Sequence, residues 1–421
     1  MAEDKKTSVI YQVTIIGILF FIFGFSTWVN GTLIPYFKIA CELSDKQSYL
    51  VATAFYISYF FMALPSSWIL NKSGFKNGMV IGLIIMAIGA FMFIPAAHAR
   101  DYKFFLFALF IIGTGLALLQ TAANPYVTVV GPIESAAQRI SIMGVFNKIG
   151  GKTAILIFGA IALKDSDKIV ESLKGMAETE KIATLNELIL RVVKPYTVIG
   201  LILLATAIVI YFIKLPKIEE DIENDEKSDP SKTSIFQFPY ALFGALAIFF
   251  YVGVEVIAGD TIALYGKSMG IALDSSKYYP IITLACMLIG YFIGIVCIPK
   301  FISQANALIL SAILGILLSV VILATKHEFS VLCVGALGLA NAVMWPAIFP
   351  LSIEGLGRFT KTGSALLIMG IAGGALMPLV YGGLADASNR QLAYLILIPS
   401  YIYILWFAWK GHKVGRQQYN S

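Results

Sequence analysis

The stretch Gly115-Leu-Ala-Leu-Leu-Gln120-Thr-Ala-Ala-Asn124-Pro125-Tyr-Val-Thr-Val-Val-Gly131-Pro132 decides how the chain is read. It lies in an apolar run long enough to cross a bilayer, yet it holds two amides, a proline and a row of small residues. Gln120 and Asn124 are four apart and share a helix face, and Pro125 lacks the N–H that would continue the ladder. A polar, weakened stripe at mid-membrane depth is the composition of a solute path. The same residue types also serve as glue between packed helices. Recurrence favours the path, because Asn30, Asn147, Glu255, Asn306 and Asn341 lie within or at the edges of other apolar runs.

The rest of the chain supplies the bilayer. Hydrophobic residues make up 58% of 421, charged residues 13%, and the mean hydropathy is +0.82, a balance that soluble domains do not need. Largely apolar runs fall at 10–36, 48–70, 78–96, 103–130, 138–162, 195–213, 238–265, 276–297, 303–324, 329–350, 363–383 and 391–409. Twelve spans are therefore expected, each long enough for a hydrocarbon core of roughly 30 Å. Charges of both signs precede Val9 and no small-residue cleavage pattern follows, so the first span reads as uncleaved.

An even number of spans puts both termini on one side. Of the 31 Lys and Arg residues, fifteen fall on that side and eight on the other, with six in or beside the acid-rich segment 164–194 and two inside a span. The short-loop bias therefore places the termini in the cytoplasm. The net charge of +6 reads as membrane anchoring and gives no argument for a nucleic-acid partner. Cys41, Cys286, Cys297 and Cys333 have neither metal spacing nor the density of a disulfide scaffold, which leaves packing as their expected role.

Six spans, a charged linker and six more spans divide the chain into an N-terminal bundle at 1–213, a cytoplasmic linker at 214–235 and a C-terminal bundle at 236–421. The linker is acid-rich and punctuated by Pro216 and Pro230, so it cannot bury itself. In the other hydrophilic stretch, Ile182, Leu185, Leu188 and Ile189 recur at helical spacing; a surface helix and a solvated loop are both open. The halves echo each other. Gly115, Gln120, Pro125, Glu134 and Arg139 follow the same order as Gly335, Asn341, Pro346, Glu354 and Arg358, and each set is followed by a glycine pair, Gly150-Gly151 and Gly373-Gly374. Parallel six-helix repeats build a large group of secondary transporters. The positive turns carrying Lys72 and Lys76, and 298–302 in the second half, are candidates to lock onto acidic helix ends at Glu134 or Glu354, with Arg139 and Arg358 beside them; orientation by charge alone is the alternative.

These residues resemble a known family. Leu118 to Pro132, Arg139 to Asn147, Tyr251-Val-Gly-Val-Glu255 and Asn30-Gly-Thr-Leu-Ile-Pro35 look like the fucose/galactose/glucose cation-symporter family of the major facilitator superfamily, over essentially all twelve spans. The resemblance implies two six-helix bundles around a central cavity and movement of hexoses by alternating access coupled to protons or sodium. It also implies a protonatable aspartate where this chain has Gly31 and a protonatable glutamate where it has Gln120. Both are missing, which brings the chain nearer to the glucose/galactose or N-acetylglucosamine branch. Asn147 matches a sugar-contacting asparagine of the family, and Trp28 falls near a first-span contact position.

A hexose is a neutral ring of hydroxyls, and amides offer donor and acceptor together without a charge. Gln120, Asn124, Asn147, Asn30, Asn306 and Asn341 are the candidate sugar ligands, with Trp28, Tyr251, Trp345 and Tyr56 as apolar faces for the ring. Glu255 and Asp260 are the candidate ion-coupling carboxylates, although five residues of regular helix separate them by about 140°. Lys148 and Lys152 share a face and are expected to snorkel toward headgroups, pairing of one with Glu255 being the rival. Sodium is preferred over a proton as the coupling ion, because hard oxygens can assemble a sodium site without the two missing acids. No cofactor and no resident metal beyond such a sodium site is expected, and the carrier is expected to be a monomer in lipid. His98, His327 and His412 lie in loops or the tail and no catalytic motif appears, so an enzyme is not expected. A facilitative sugar uniporter and a non-transporting sugar receptor are the alternatives.

Overall fold

The computed structural model describes residues 2–43, 47, 50–129, 132–162, 164, 166–213, 232–271 and 279–416. Most of the linker expected at 214–235 therefore lies outside the described residues. Every regular element among those described is a helix. The first part holds α1 (Ala2–Ala40), α2 (Leu50–Ala99), α3 (Tyr102–Val129), α4 (Ala136–Ile161), α5 (Ser166–Leu173), α6 (Glu178–Leu190) and α7 (Val193–Phe212). The second holds α8 (Pro239–Asp260), α9 (Ile262–Ser268), α10 (Tyr279–Cys297), α11 (Gln304–Ala324), α12 (His327–Ala342), α13 (Met344–Ile353), α14 (Thr360–Met369), α15 (Gly373–Ala387), α16 (Arg390–Ala393) and α17 (Leu397–Trp409).

Eleven stretches of helix among the described residues are long and apolar enough to cross a membrane, and Leu50–Met62 is a shorter apolar one. This is an all-α, multi-span membrane fold. In α2 the helical run breaks at Gly74 (φ 73°, ψ 170°), where the expected second and third spans meet. Only glycine takes that backbone without steric penalty. Leu64, Leu201, Val296 and Leu310 are exposed on the outer surface, as lipid-facing side chains are.

Side chains repair the irregular places. Pro125 sits inside α3 without ending it, and the Asn124 amide donates to Gln120 O (2.9 Å) while Thr128 Oγ1 donates to Asn124 O (2.9 Å). Past the end of α3, Arg139 of α4 donates to the carbonyls of Val127 (2.9 Å), Thr128 (2.6 Å) and Pro132 (3.0 Å). Val127 and Thr128 lie in the last turn of α3, where carbonyls run out of intrahelical donors, so the guanidinium serves there as a cap borrowed from the next helix. In the second part the corresponding run does break: α12 ends at Ala342, Val343 leaves helical geometry (φ −91°, ψ 1°), and α13 restarts with Pro346 in its first turn.

The glycine pairs set the closest helix contacts. A Cβ on Gly150 would collide with Phe21 O, and one on Gly24 with Asn147 O, so α1 and α4 touch backbone to backbone. Gly373 does the same against Phe249 O, joining α15 to α8. Small residues that let backbones meet are how packed helices associate where lipid offers no hydrophobic drive. α6 is a helix whose Leu185, Leu188 and Ile189 are buried while Ile182 is exposed, and Tyr36 Oη donates to Leu188 O (2.8 Å). Surface helix, not solvated loop, is thus the outcome for that segment. Cys333 is buried and the other three cysteines are half-buried, all as free thiols; burial pushes the Cys41 thiol up to about 11.

Candidate functional site

Between the two parts lies a cavity of about 1050 Å³, measured with its open mouth. The two parts meet where α4 packs on α10 and α13, and where α14 packs on α2 and α3, with further hydrogen bonds beyond one end of the cavity lining. There Gln138 Nε2 donates to Ile295 O (2.5 Å), Ala137 N to Gln304 Oε1 (3.0 Å) and Gln304 Nε2 to Ile133 O (2.9 Å). Ser67 and Thr362 share a hydroxyl bond of 3.1 Å, and Lys361 Nζ stands 5.6 Å over Phe75.

The expected locks differ from this. Lys72 lies over Trp68 (4.0 Å) and Lys76 toward Tyr211 (5.9 Å), both in their own part. Glu354 is bound by Arg416 of the tail (2.6 Å), and Arg358 donates to Lys232 O (2.7 Å). Glu134 is exposed, and Arg139 is committed to the end of α3. Amides and hydroxyls at the helix ends come closer across the boundary than the long lysines do.

Trp28, Asn30, Gln120, Asn124, Asn147, Tyr251, Trp345, Glu255 and Asp260 all line the cavity. Gln120 Nε2 donates to Tyr59 Oη (3.2 Å), and Asn124 Oδ1 accepts from Trp345 Nε1 of the other part (3.3 Å). Trp345 stacks on Phe349 at 5.8 Å and stands 6.3 Å from the ring of Tyr251. Asn30 is buried in the wall, with neither amide atom partnered among the described residues.

Two expected ligands are elsewhere. Asn306 is exposed in the first turn of α11, where Ser303 Oγ accepts from its backbone N–H as an N-cap. Asn341 is fully buried and faces α17, its Oδ1 accepting from Tyr401 Oη (2.8 Å). Neither lines the cavity.

Charges form the centre of the site. Lys148 Nζ lies 2.7 Å from Glu255 Oε1, with 5% and 15% of the side chains exposed, and 4.8 Å from the Trp28 ring. Snorkelling therefore does not describe Lys148. It reaches inward because α4 is pressed onto α1 and presents this face to α8, and the pair cancels two charges that would each be costly alone. Lys152, on the same face of α4, is exposed. Glu255 and Asp260 meet one cavity despite their angular separation, because Asp260 is the last residue of α8 and the cavity wraps around that end.

Tyr59 and Tyr291 are wall residues that the sequence reading passed over. Tyr59 is three residues from Tyr56 and the rings stack at 6.3 Å, so a helical-face count from Tyr56 points to it. Tyr291 packs against Gly144 from the other part, a contact with no sequence signal.

Known proteins resemble the chain over almost its whole length. The chain is 35% identical over 406 residues to the glucose/galactose transporter of Brucella abortus biovar 1 (strain 9-941), covering 96% of this chain and 94% of that one. It is 30% identical to the L-fucose-proton symporter of Escherichia coli (strain K12), covering 96% and 94%. Among solved structures, the crystal structure of FucP, a transporter of the same superfamily in the outward conformation, superposes with a TM-score of 0.82 at 29% identity, over 95% of this chain and 98% of that one. Residues 16–378 match the Major Facilitator Superfamily. The chain belongs to the Major Facilitator Superfamily and, within it, to the sugar symporters related to the glucose/galactose and fucose-proton carriers.

Proposed function

We propose that the protein takes up a neutral hexose by cation-coupled alternating access, and that it is a carrier and not an enzyme. The observation that carries this is the cavity itself: amides from the first part (Gln120, Asn124, Asn147) and aromatic faces from both (Trp28, Tyr251, Trp345) surround one space, beyond one end of which hydrogen bonds tie the parts together. Amides match hydroxyls, and aromatic faces match the C–H side of a pyranose. The glucose/galactose relative supports a hexose, and the fucose relative, a proton symporter, supports a proton as the coupling ion. Sodium, preferred on the missing acids, is the second arm of the test.

The arrangement proposed is twelve spans in two six-helix bundles, residues 1–213 and 236–421, tethered by 214–235, as a monomer in the bacterial inner membrane. Both termini are cytoplasmic, so the tied end faces the cytoplasm and the cavity opens outward. Uptake of labelled glucose or galactose into proteoliposomes, first under a pH gradient without sodium and then under a sodium gradient at constant pH, tests the reading. Accumulation under one gradient is the expected result. Equilibration without accumulation makes the protein a uniporter, and no saturable flux rejects transport of these sugars.

A further inference from the structure

The two carboxylates that α8 brings to the cavity are not equivalent. Glu255 is already neutralised by Lys148 across the boundary between the parts, at 2.7 Å and largely buried. A proton or sodium ion on Glu255 would strand the Lys148 ammonium beside the Trp28 ring, 4.8 Å from its centroid. Asp260 has no ion pair or hydrogen bond among the described residues, and its side chain is open to the cavity. The other titratable wall residues are Tyr56 and Tyr59 on α2, Tyr251 on α8 and Tyr291 on α10, all neutral as phenols. One lysine and two carboxylates thus leave one negative charge in the described wall, and it belongs to Asp260. A neutral sugar leaves it there.

The position of Asp260 gives that charge a consequence. A Cβ on the preceding Gly259 would lie 3.5 Å from Trp28 Cη2, so the end of α8 stands against α1. About one turn beyond Trp28, Gly31 lines the cavity, and a Cβ there would meet nothing within 4 Å. An open niche therefore faces the mouth between α1 and α8. When alternating access narrows the mouth, the Asp260 carboxylate must leave water with no partner among the described residues to receive it, which is unfavourable unless its charge is cancelled first. We propose that Asp260 is the group whose neutralisation by the coupling cation licenses closure of the mouth, and that the Lys148–Glu255 pair is a fixed tie between the parts and not a coupling site. This rests on the coupled-symport reading above. It makes the cation a ligand with different affinity for the open and closed mouth, which is what coupling requires.

The test is the steady-state ratio of internal to external labelled sugar in proteoliposomes of the full-length carrier, compared at equal amounts of folded protein. Wild type under its driving gradient holds a ratio well above one. Asp260→Asn is expected to let sugar in but to settle at one under both the pH and the sodium gradient, and Asp260→Glu to restore a ratio above one. The gradient that drives wild type distinguishes proton from sodium as the neutralising ion. An Asp260→Asn carrier that accumulates like wild type overturns the assignment, as does an Asp260→Asn carrier that admits no sugar while Asp260→Glu fails equally, which makes the residue structural. Wild type that equilibrates under both gradients overturns the coupled reading itself and the assignment with it. A second measurement is independent of flux: spin labels on the outer ends of α1 and α8 should report a mouth that closes with added sugar only below a threshold pH, or only with sodium, in wild type, and irrespective of both in Asp260→Asn. Identical ion dependence in the two proteins overturns the proposal.

Discussion

The run around Pro125 and the run around Pro346 share an order of amide, proline, glutamate and arginine, and they are built differently. The first stays one helix, patched by Asn124 and Thr128, and turns its amides to the cavity. The second breaks at Val343, turns Asn341 away to Tyr401, and offers the cavity Trp345 instead. By contrast, the glycine pairs of the two parts do the same work, each letting a helix touch its neighbour's backbone. Backbone contacts are common to the two parts, while side-chain roles have been divided: one part supplies the four amides in the described cavity wall and the cation, the other the carboxylates.

The sharpest way to break this division is at the charges. Lys148→Met leaves Glu255 buried and unpaired, and should destabilise the carrier by about 3–5 kcal/mol in thermal or denaturant unfolding in detergent. A double Lys148→Met, Glu255→Met variant should recover much of that loss. An unchanged midpoint for Lys148→Met would show that the pair does not tie the parts together.

The next pair of changes compares the two amides directly. Gln120→Ala should weaken hexose binding by about 1–3 kcal/mol through lost hydrogen bonds and unpaired partner groups, read by calorimetry. Asn341→Ala should cost a similar amount, about 1–3 kcal/mol, but in unfolding free energy, since it leaves Tyr401 Oη without its acceptor. If Asn341→Ala lowered sugar affinity and left stability intact, the division of roles would be wrong. The smallest effect expected is at the cross-part hydrogen bond: Trp345→Phe removes the donor to Asn124, worth about 0.5–1.5 kcal/mol, together with part of the ring that stacks on Phe349, and a loss of sugar affinity much larger than that would mean the indole itself contacts the sugar.

Much of this was legible in the sequence. Apolar runs of bilayer length, the glycine pairs and the shared face of Gln120 and Asn124 follow from composition and helical spacing, and Asn147 from the family resemblance. Asn306 and Asn341 did not follow, because spacing says which residues share a face and not which way the face points. A residue near a helix start, as Asn306 is, has a local use in capping that a count of intramembrane amides overlooks. The partnership of Lys148 with Glu255, 107 residues away, depends on how closely α4 is drawn onto α1, and a snorkelling lysine has the same local sequence. The break at Val343 and the continuity through Pro125 differ only in which neighbours repair the backbone, a property of the packed molecule.

The contacts at the tied end carry a kinetic consequence. Apart from Lys361 over Phe75, the ties described there, through Gln138, Gln304, Ser67 and Thr362, join uncharged groups. Ionic strength screens charges and leaves amide and hydroxyl bonds nearly untouched. The rate at which this end lets go should therefore be steady across salt concentrations and across the resting voltage of the membrane, and a cell would change it by altering what occupies the cavity, not the medium around it.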